Sequence, residues 1–334
     1  MKPFLKYPGG KTKEIPLILR YIPKDIKRYF EPFVGGGSVY FALNIEKSFI
    51  NDYSTDLMNL YLLVKEQNNE LHNMLLSFDD IWKSISLHQA TRQLFAGFAF
   101  FKYDDYLNFY NSSMRRKERT IERLVNKGNK VDEENRLKIE ITARKTAFYM
   151  MIRKLYNSKV KNCVIKAATY YFLREYCYSS MFRFSKNGAF NVPYGGMSYN
   201  EKYMSVKINE MFSASMREYM ENTNVSNQDY ETFLNDYDLN ETDFIFLDPP
   251  YDSEFSTYDQ NIFDRKEQIR LRNFLSHTKA KWMLIIKKTD FINDLYKNFN
   301  LYNYDMNYMV SFKNRNAKNV EHLLITNYEL RGEL

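Results

Sequence analysis

The stretch Asp243-Phe244-Ile245-Phe246-Leu247-Asp248-Pro249-Pro250-Tyr251 decides how this chain folds. Its apolar and aromatic run predicts a strand buried on both faces of a parallel sheet. The strand must stop at the two prolines, which lack N–H donors and have φ fixed. Asp248 therefore stands at the carboxyl end of a strand, the edge at which open α/β sheets bind ligands. The stiff turn sets Tyr251 beside it. Asp248 can accept a hydrogen bond from an amino group, and the Pro249 carbonyl can accept another. Tyr251 offers a face for a flat ring. Together they suit an exocyclic amine on a base, with both N–H bonds held and the lone pair turned toward an electrophile. A plain strand end with Asp248 as a solvated cap uses the same residues, so the neighbouring motifs must decide.

Toward the N-terminus, Tyr29-Phe30-Glu31-Pro32-Phe33-Val34-Gly35-Gly36-Gly37-Ser38-Val39-Tyr40-Phe41-Ala42-Leu43 reads as strand, glycine turn and helix, with Ser38 as cap. At Gly35 and Gly37 the backbone N–H groups and the positive end of a helix can meet a ligand's polar groups. A second apolar strand, Ser48-Phe49-Ile50, ends in Asn51-Asp52. An acid at that tip, past a glycine turn, commonly bonds ribose hydroxyls. As the alternative, Asp52 is a helix cap, a role for which Asp56 competes. The combination points to a nucleoside-bearing cofactor. Ahead of it, Tyr7-Pro8-Gly9-Gly10-Lys11 makes a tight loop that adds an aromatic face and a cation. It lacks the spaced first glycine of a Walker A loop.

Residues from about Asp56 to Lys166 differ from both flanks: helical in pattern, poor in Pro and Gly, and densely charged around Arg115-Arg116-Lys117-Glu118-Arg119. They read as a solvated helical hairpin or as a DNA-facing helix, with turns at Lys65–Asn69 and Lys127–Lys130. In Met181-Phe182-Arg183-Phe184-Ser185-Lys186-Asn187-Gly188-Ala189-Phe190-Asn191-Val192-Pro193-Tyr194-Gly195-Gly196, the Asn-Gly pair between aromatic runs predicts a β-hairpin. Arg183 and Asn191 are of the types that read guanine and adenine edges bidentately. An edge hairpin packed on the core is the plainer reading. Glu201–Glu221 reads as polar linker and helix. Past the Pro-Pro turn, Phe255-Ser256-Thr257-Tyr258 reads as an aromatic loop and Arg265–Ser276 as an amphipathic helix. Trp282–Ile286 reads as a buried strand, with Asp290 capping the next helix. Phe299–Tyr304, Tyr308–Phe312 and His322–Thr326 are strand-like. One parallel-type sheet interrupted by the middle segment follows.

Composition narrows the partners. Lys and Arg exceed Asp and Glu by seven in 334 residues, which favours a polyanion. Hydrophobic residues at 44% and charged residues at 27% exclude a disordered chain. Cys163 and Cys177 have no metal-like spacing, and His72, His88, His277 and His322 are scattered. No metal site, disulfide scaffold or His-based triad is expected, and a reducing cytoplasm is the default. No apolar run is long enough for a bilayer, and none forms a signal core.

Taken in order, Tyr7-Pro8-Gly9-Gly10-Lys11, Glu31-Pro32-Phe33-Val34-Gly35-Gly36-Gly37-Ser38, Asn51-Asp52, Phe190-Asn191-Val192-Pro193 and Asp248-Pro249-Pro250-Tyr251 resemble the Dam-like (D12 class, α group) DNA adenine-N6 methyltransferases. The resemblance implies an α/β fold: a Rossmann-like methyltransferase sheet with an inserted, mainly helical DNA-recognition region plus a β-hairpin. It implies a catalytic domain over 1–55 and 205–334, a target-recognition domain over 56–204, and S-adenosylmethionine as donor. Tyr7, Lys11, Asp52 and Asp248 carry over as cofactor contacts, beside Gly35 and Gly37 of the turn. Asp248, Pro249 and Tyr251 carry over as the grip on a flipped adenine, and Arg183 and Pro193, with Asn191, as DNA contacts. It further implies double-stranded DNA as partner, a monomer, a bacterial or phage-encoded cytoplasmic enzyme, and a restriction endonuclease as possible companion. Two departures stand out. Gly195 and Gly196 follow Pro193 where GATC-modifying members place an Arg, and Tyr7-Pro8 replaces a Trp-Ala. Other classes use parts of the same pattern: an RNA or other amino-group methyltransferase, a non-catalytic DNA-binding protein, and a nuclease.

Overall fold

The computed structural model describes residues 1–7, 9–43, 45–87, 91–126, 128, 131–250, 263–306 and 320–330. Tyr251, the Phe255–Tyr258 loop, the Tyr308–Phe312 segment and most of the 127–130 turn lie outside the described residues. The strands are β1 (Arg28–Glu31), β2 (Lys47–Asn51), β3 (Thr223–Ser226), β4 (Asp243–Leu247), β5 (Lys281–Lys287), β6 (Asn300–Met306) and β7 (Val320–Thr326). The helices are α1 (Ile15–Tyr21), α2 (Thr55–Lys65), α3 (Asn69–Leu87), α4 (Arg92–Phe95), α5 (Tyr103–Asn126) and α6 (Glu133–Tyr156). They continue with α7 (Cys163–Tyr176), α8 (Ser205–Met211), α9 (Ala214–Glu221), α10 (Tyr230–Asn235), α11 (Arg265–His277) and α12 (Asp290–Leu295). Two compact units result. The first holds Met1–Pro3, Gly9–Met58 and Tyr219–Leu334; the second holds Phe4–Pro8 and Asn59–Glu218.

In the first unit the strands form one sheet in the order β3-β2-β1-β4-β5-β7-β6. The pairs β1/β2, β1/β4, β2/β3 and β4/β5 are parallel, and β7 runs antiparallel to both β5 and β6. This is a Rossmann-like sheet with its last strand reversed. After β1 the chain moves to one side, and β4 is laid on the other. The carboxyl ends of β1 and β4 thus flank a topological switch point, where such sheets take ligands. All five residues of β4 are buried, as its unbroken apolar run requires. Phe30 of β1 stacks on Phe49 of β2 at 4.6 Å and 9°, a contact worth ~0.5–1.5 kcal/mol beyond its buried area. Asp243 opens β4 fully buried, and its carboxylate is held by the Arg28 guanidinium at 2.6 and 2.7 Å.

Two expected helix starts differ. No α-helix follows the glycine turn; one 3₁₀ turn, Tyr40–Ala42, stands there, with Val39 and not Ser38 at its cap position and no side-chain cap hydrogen bond. The Tyr219 hydroxyl donates to the carbonyls of Tyr40 and Leu43, and Leu43 is extended at ψ 149°. Carbonyls that would have continued a helix are satisfied by that hydroxyl. Thr289, not Asp290, caps α12, accepting from the Ile292 N–H at 3.2 Å.

The second unit is helical. α3, α6 and α7 enclose an aromatic core in which Trp82 lies 4.2 Å from Tyr176 and 5.5 Å from Phe172, and Phe148 lies 5.4 Å from Phe172. Much of the aromatic content is spent here. Asp132 caps α6 and Asn162 caps α7 through their side-chain oxygens. Glu175 is fully buried yet charged: burial opposes its carboxylate, but Lys202 and Lys207, each at 2.7 Å, outweigh it and hold its pKa below the ordinary value. The linker-like region from Glu201 contains two helices, α8 and α9, because Ile208, Met211 and Met216 are buried in it.

Candidate active site

Three carboxylates meet the same edge of the sheet. Glu31 ends β1, Asp52 follows the last residue of β2, and Asp248 follows the last residue of β4. These strands are neighbours in the order β2-β1-β4. The acids are therefore brought to one rim by topology, from positions more than two hundred residues apart in sequence.

Each acid is held differently. The Asp52 carboxylate accepts the Gly35 N–H at 3.0 Å through one oxygen and the Ser54 N–H at 2.9 Å through the other. The glycine turn and the tip of the second strand are thus tied together. Gly35 and Gly37 have φ of 48° and 70°, the left-handed region where a side chain is strained. Asn51 completes the clasp. Its amide donates to the Pro32 and Gln228 carbonyls at 3.1 and 3.0 Å and accepts the Gln228 N–H at 2.9 Å. Asp248 pairs with Lys11 at 2.7 Å; the lysine is 3% exposed and the aspartate 22%. Lys11 also donates to the Gly9 carbonyl at 3.2 Å, and Gly9 turns the loop with φ 78°. Pro249 is buried, and no donor among the described residues reaches its carbonyl.

Glu31 is the acid that residue types alone left without a role. It is 3% exposed, and its carboxylate accepts the Tyr29 hydroxyl at 2.7 Å. Burial pushes its pKa up to about 8; the Tyr29 hydrogen bond opposes this, and the charges of Asp248 and Asp52 add to it. A signal existed in the sequence: Glu31-Pro32 and Asp248-Pro249 are both acid-proline pairs that terminate a strand. Behind Lys11, the buried Glu14 accepts the Tyr304 hydroxyl at 3.0 Å. Burial raises the Glu14 pKa, with Lys11 opposing. His322 lies 3.8 Å from Glu14, but burial, with Lys11 and Lys287, lowers its pKa to about 4. At neutral pH that contact joins a neutral imidazole to an acid and is no ion pair.

The remaining expected site residues belong to the second unit. The Tyr7 ring lies under the Arg174 guanidinium at 4.4 Å, with Phe182 on that guanidinium at 3.9 Å. The hairpin turns through Ser185–Gly188, and Gly188 is left-handed at φ 77°. Asn187 is not, so the turn is not the primed type in which both central residues are left-handed. Phe182, Phe190, Val192 and Tyr194 are buried, whereas Arg183 and Pro193 are exposed and Asn191 is half-buried. This alternation sets Arg183, Asn191 and Pro193 on the outward face. The Arg183 Nε donates to the Asn191 Oδ1 at 3.2 Å. A Cβ on Gly195 would meet the Tyr199 ring at 2.5 Å, and Gly196 is left-handed at φ 84°. Close approach and backbone shape demand glycine there.

An acid-lined strand edge beside a glycine turn favours a ligand that carries positive charge and a ribose. The residues fit S-adenosylmethionine: carboxylates suit its sulfonium, and the Asp52 carboxylate is already oriented by two backbone N–H groups. Among the described residues, no group of His, Cys, Asp and Glu is arranged to hold a metal ion, and no helix is long and apolar enough to cross a membrane.

Comparison with known proteins agrees with this chemistry. The model of the D12 class N6 adenine-specific DNA methyltransferases matches residues 7–310. The type II methyltransferase M.CviBI of Paramecium bursaria Chlorella virus NC1A is 26% identical over 98% of this chain and 100% of its own. M.MjaIII of Methanocaldococcus jannaschii is 30% identical over 98% and 99%. The DNA adenine methylase of Vibrio cholerae (strain O395) is 24% identical over 82% and 76%. With the sheet, its acid-lined edge and the family match in agreement, the chain belongs to the D12 class N6 adenine-specific DNA methyltransferases, which use S-adenosylmethionine.

Proposed function

We propose that the sheet unit carries methyl transfer and that the helical unit, through its hairpin, selects the DNA sequence around the target adenine. The observation that carries this division is the arrangement of Glu31, Asp52 and Asp248 on adjacent strand ends, beside a left-handed glycine turn. S-adenosylmethionine supplies a methyl group made electrophilic by its sulfonium. In this reading Asp52 bonds the ribose hydroxyls, Gly35 and Gly37 keep side chains away from the cofactor, and Tyr7 and Lys11 add a stacking face and a cation. An adenine N6 inside a duplex is out of reach, so the base is flipped out, at a cost of a few kcal/mol. Tyr251 offsets part of that by stacking, worth roughly 1–3 kcal/mol. The Asp248 carboxylate and the Pro249 carbonyl each accept one N–H of the amine and fix its direction of attack. The nitrogen gains the methyl as the sulfur–methyl bond of the donor breaks to leave a neutral thioether, and it loses one proton to solvent. Positioning supplies most of the rate.

Lys11 has a further task here. Its ion pair holds the Asp248 carboxylate in place before the amine arrives. Arg183, Asn191 and Pro193 form the outward face that meets DNA, with Arg183 and Asn191 supplying the donors and acceptors that read base edges. A monomer suffices, since one chain supplies both the acid-lined edge and the hairpin. The names of the type II relatives support a cognate restriction endonuclease as companion, and the free Cys163 and Cys177 support the cytoplasm of a bacterial or phage-infected host.

The test is expression in a host free of DNA methylation, with modified adenines mapped by single-molecule sequencing. N6-methyladenine at one recurring sequence is expected. Tritium transfer measured side by side on duplex DNA, RNA and protein separates the substrate classes, and transfer to RNA or protein alone would overturn the assignment.

A further inference from the structure

The charged middle of the chain is not absorbed by the reading above, although it holds the densest run of cations. Arg116, Arg119 and Arg123 of α5 are exposed and spaced i, i+3 and i+7, so they share one face of the helix. None of them has an ion-pair partner among the described residues, whereas three other carboxylates of α5 and α6 are paired. Glu140 pairs with Arg144, Glu134 with Lys138 and Asp105 with Lys154, at 2.5 to 2.7 Å. Glu118 lies on another side of the helix. Glu122 has the spacing to reach Arg119 yet makes no pair with it among the described residues.

Arg116, at one end of the stripe, lies within the field of an arginine that holds the hairpin. Arg153 of α6 donates to the Asn191 and Val192 carbonyls at 3.4 and 3.3 Å and has no carboxylate partner among the described residues. Burial lowers the Arg153 pKa, and the positive charge of Arg116 lowers it further, so the two guanidiniums lie within each other's field. Arg183 bonds the side chain of the same Asn191. Five arginines, Arg116, Arg119, Arg123, Arg153 and Arg183, thus stand on α5 and at the hairpin with no ion pair to any of them among the described residues.

We propose that Arg116, Arg119 and Arg123 form a phosphate-binding stripe that holds the backbone of duplex DNA while the hairpin reads the bases. Arg153 is a positioning residue that fixes the Asn191 strand at the end of the stripe. The inference rests on the proposal that the helical unit faces DNA. The unpaired charges are the observation that selects this partner. Mutual repulsion among guanidiniums is relieved by a polyanion, and a helix face about 10 Å long suits a run of phosphates.

The test is the salt dependence of duplex binding, read by fluorescence anisotropy for the wild-type protein, R116Q, the triple variant R116Q/R119Q/R123Q, and K297Q. Lys297 is already paired with Asp294 and serves as a charge control. The slope of log K against log salt is expected to fall by about 0.9 for R116Q and by about 2.7 for the triple variant. KM for DNA should rise with kcat unchanged at saturating DNA, equally for matched and mismatched sequences. K297Q should behave as wild type. Unchanged slopes in R116Q and the triple variant, with wild-type methylation intact, overturn the stripe and leave the enzymatic assignment standing. An equal loss in K297Q overturns it as well. A wild-type chain that neither binds nor methylates duplex DNA overturns both. Matching far-ultraviolet dichroism and melting curves show that the exposed substitutions leave the fold intact.

Discussion

The two units handle charge in opposite ways. At the sheet edge, three carboxylates crowd into a partly or wholly buried rim where Lys11 is the nearby cation paired to one of them. On the helical unit, arginines stand on an exposed face and at the hairpin, while Glu134, Glu140 and Asp105 are engaged by other side chains. The overall surplus of seven positive charges therefore says little about the reaction centre. On the proposed reading, one unit serves a cationic, amine-bearing chemistry and the other a polyanion. Burial sharpens the first, because a carboxylate out of water acts strongly on its neighbours. Exposure suits the second, because long-range attraction and counterion release need no buried contact.

The contrast breaks most visibly at Asp248. Asp248→Ala is expected to lower methyl transfer by roughly 10³-fold or more while leaving duplex affinity near wild type. Transfer assays and anisotropy on the same preparation check this, and normal transfer would remove Asp248 from the reaction. The next effect is on stability. Glu31 has its folded pKa raised to about 8 by burial, so the folded state holds a proton that the unfolded state releases near the ordinary value of 4.5. Its contribution is full below that ordinary value and is lost as pH rises through the folded one. Wild type should therefore lose about 3 kcal/mol relative to Glu31→Gln between pH 5 and 8. Urea melts at both pH values measure this, and a difference independent of pH would show Glu31 to be ionised throughout.

Smaller effects sharpen the division. Asp52→Ala is expected to weaken cofactor binding about 10- to 100-fold, as loss of a charge-assisted hydrogen bond does, with DNA affinity untouched. Calorimetry with S-adenosylmethionine or its demethylated product reads it. Asn191→Ala should cost ~1–3 kcal/mol of discrimination between the recognised sequence and a single mismatch, with cofactor affinity unchanged. A variant that loses affinity for all sequences equally would place Asn191 among backbone contacts instead.

Legibility in the sequence differed between the units. The ends of β1, β2 and β4 could be placed because apolar runs stop at Glu31-Pro32, Asn51-Asp52 and Asp248-Pro249, and proline or a polar pair is a hard local stop. The helix expected after the glycine turn failed because a distant hydroxyl, that of Tyr219, takes the carbonyls a helix would have used. The Asn187-Gly188 turn was legible as a turn. Its type was not, since more than one Asn-Gly turn conformation is locally allowed. The charged run around Arg116 could not be assigned between a solvated face and a DNA-facing one. That choice depends on which carboxylates the fold brings within reach.

By itself the sequence determined where strands end, which residues stand at those ends, and the kind of ligand they suit, because proline, glycine and apolar runs act locally. Tertiary structure alone decided that Glu31, Asp52 and Asp248 share one rim, that Lys11 holds Asp248, and that Glu31 is buried enough to keep its proton near neutral pH. It also decided that Arg116, Arg119 and Arg123 have no ion pair among the described residues. Strand order and burial are properties of the whole packed chain, and no local pattern encodes them.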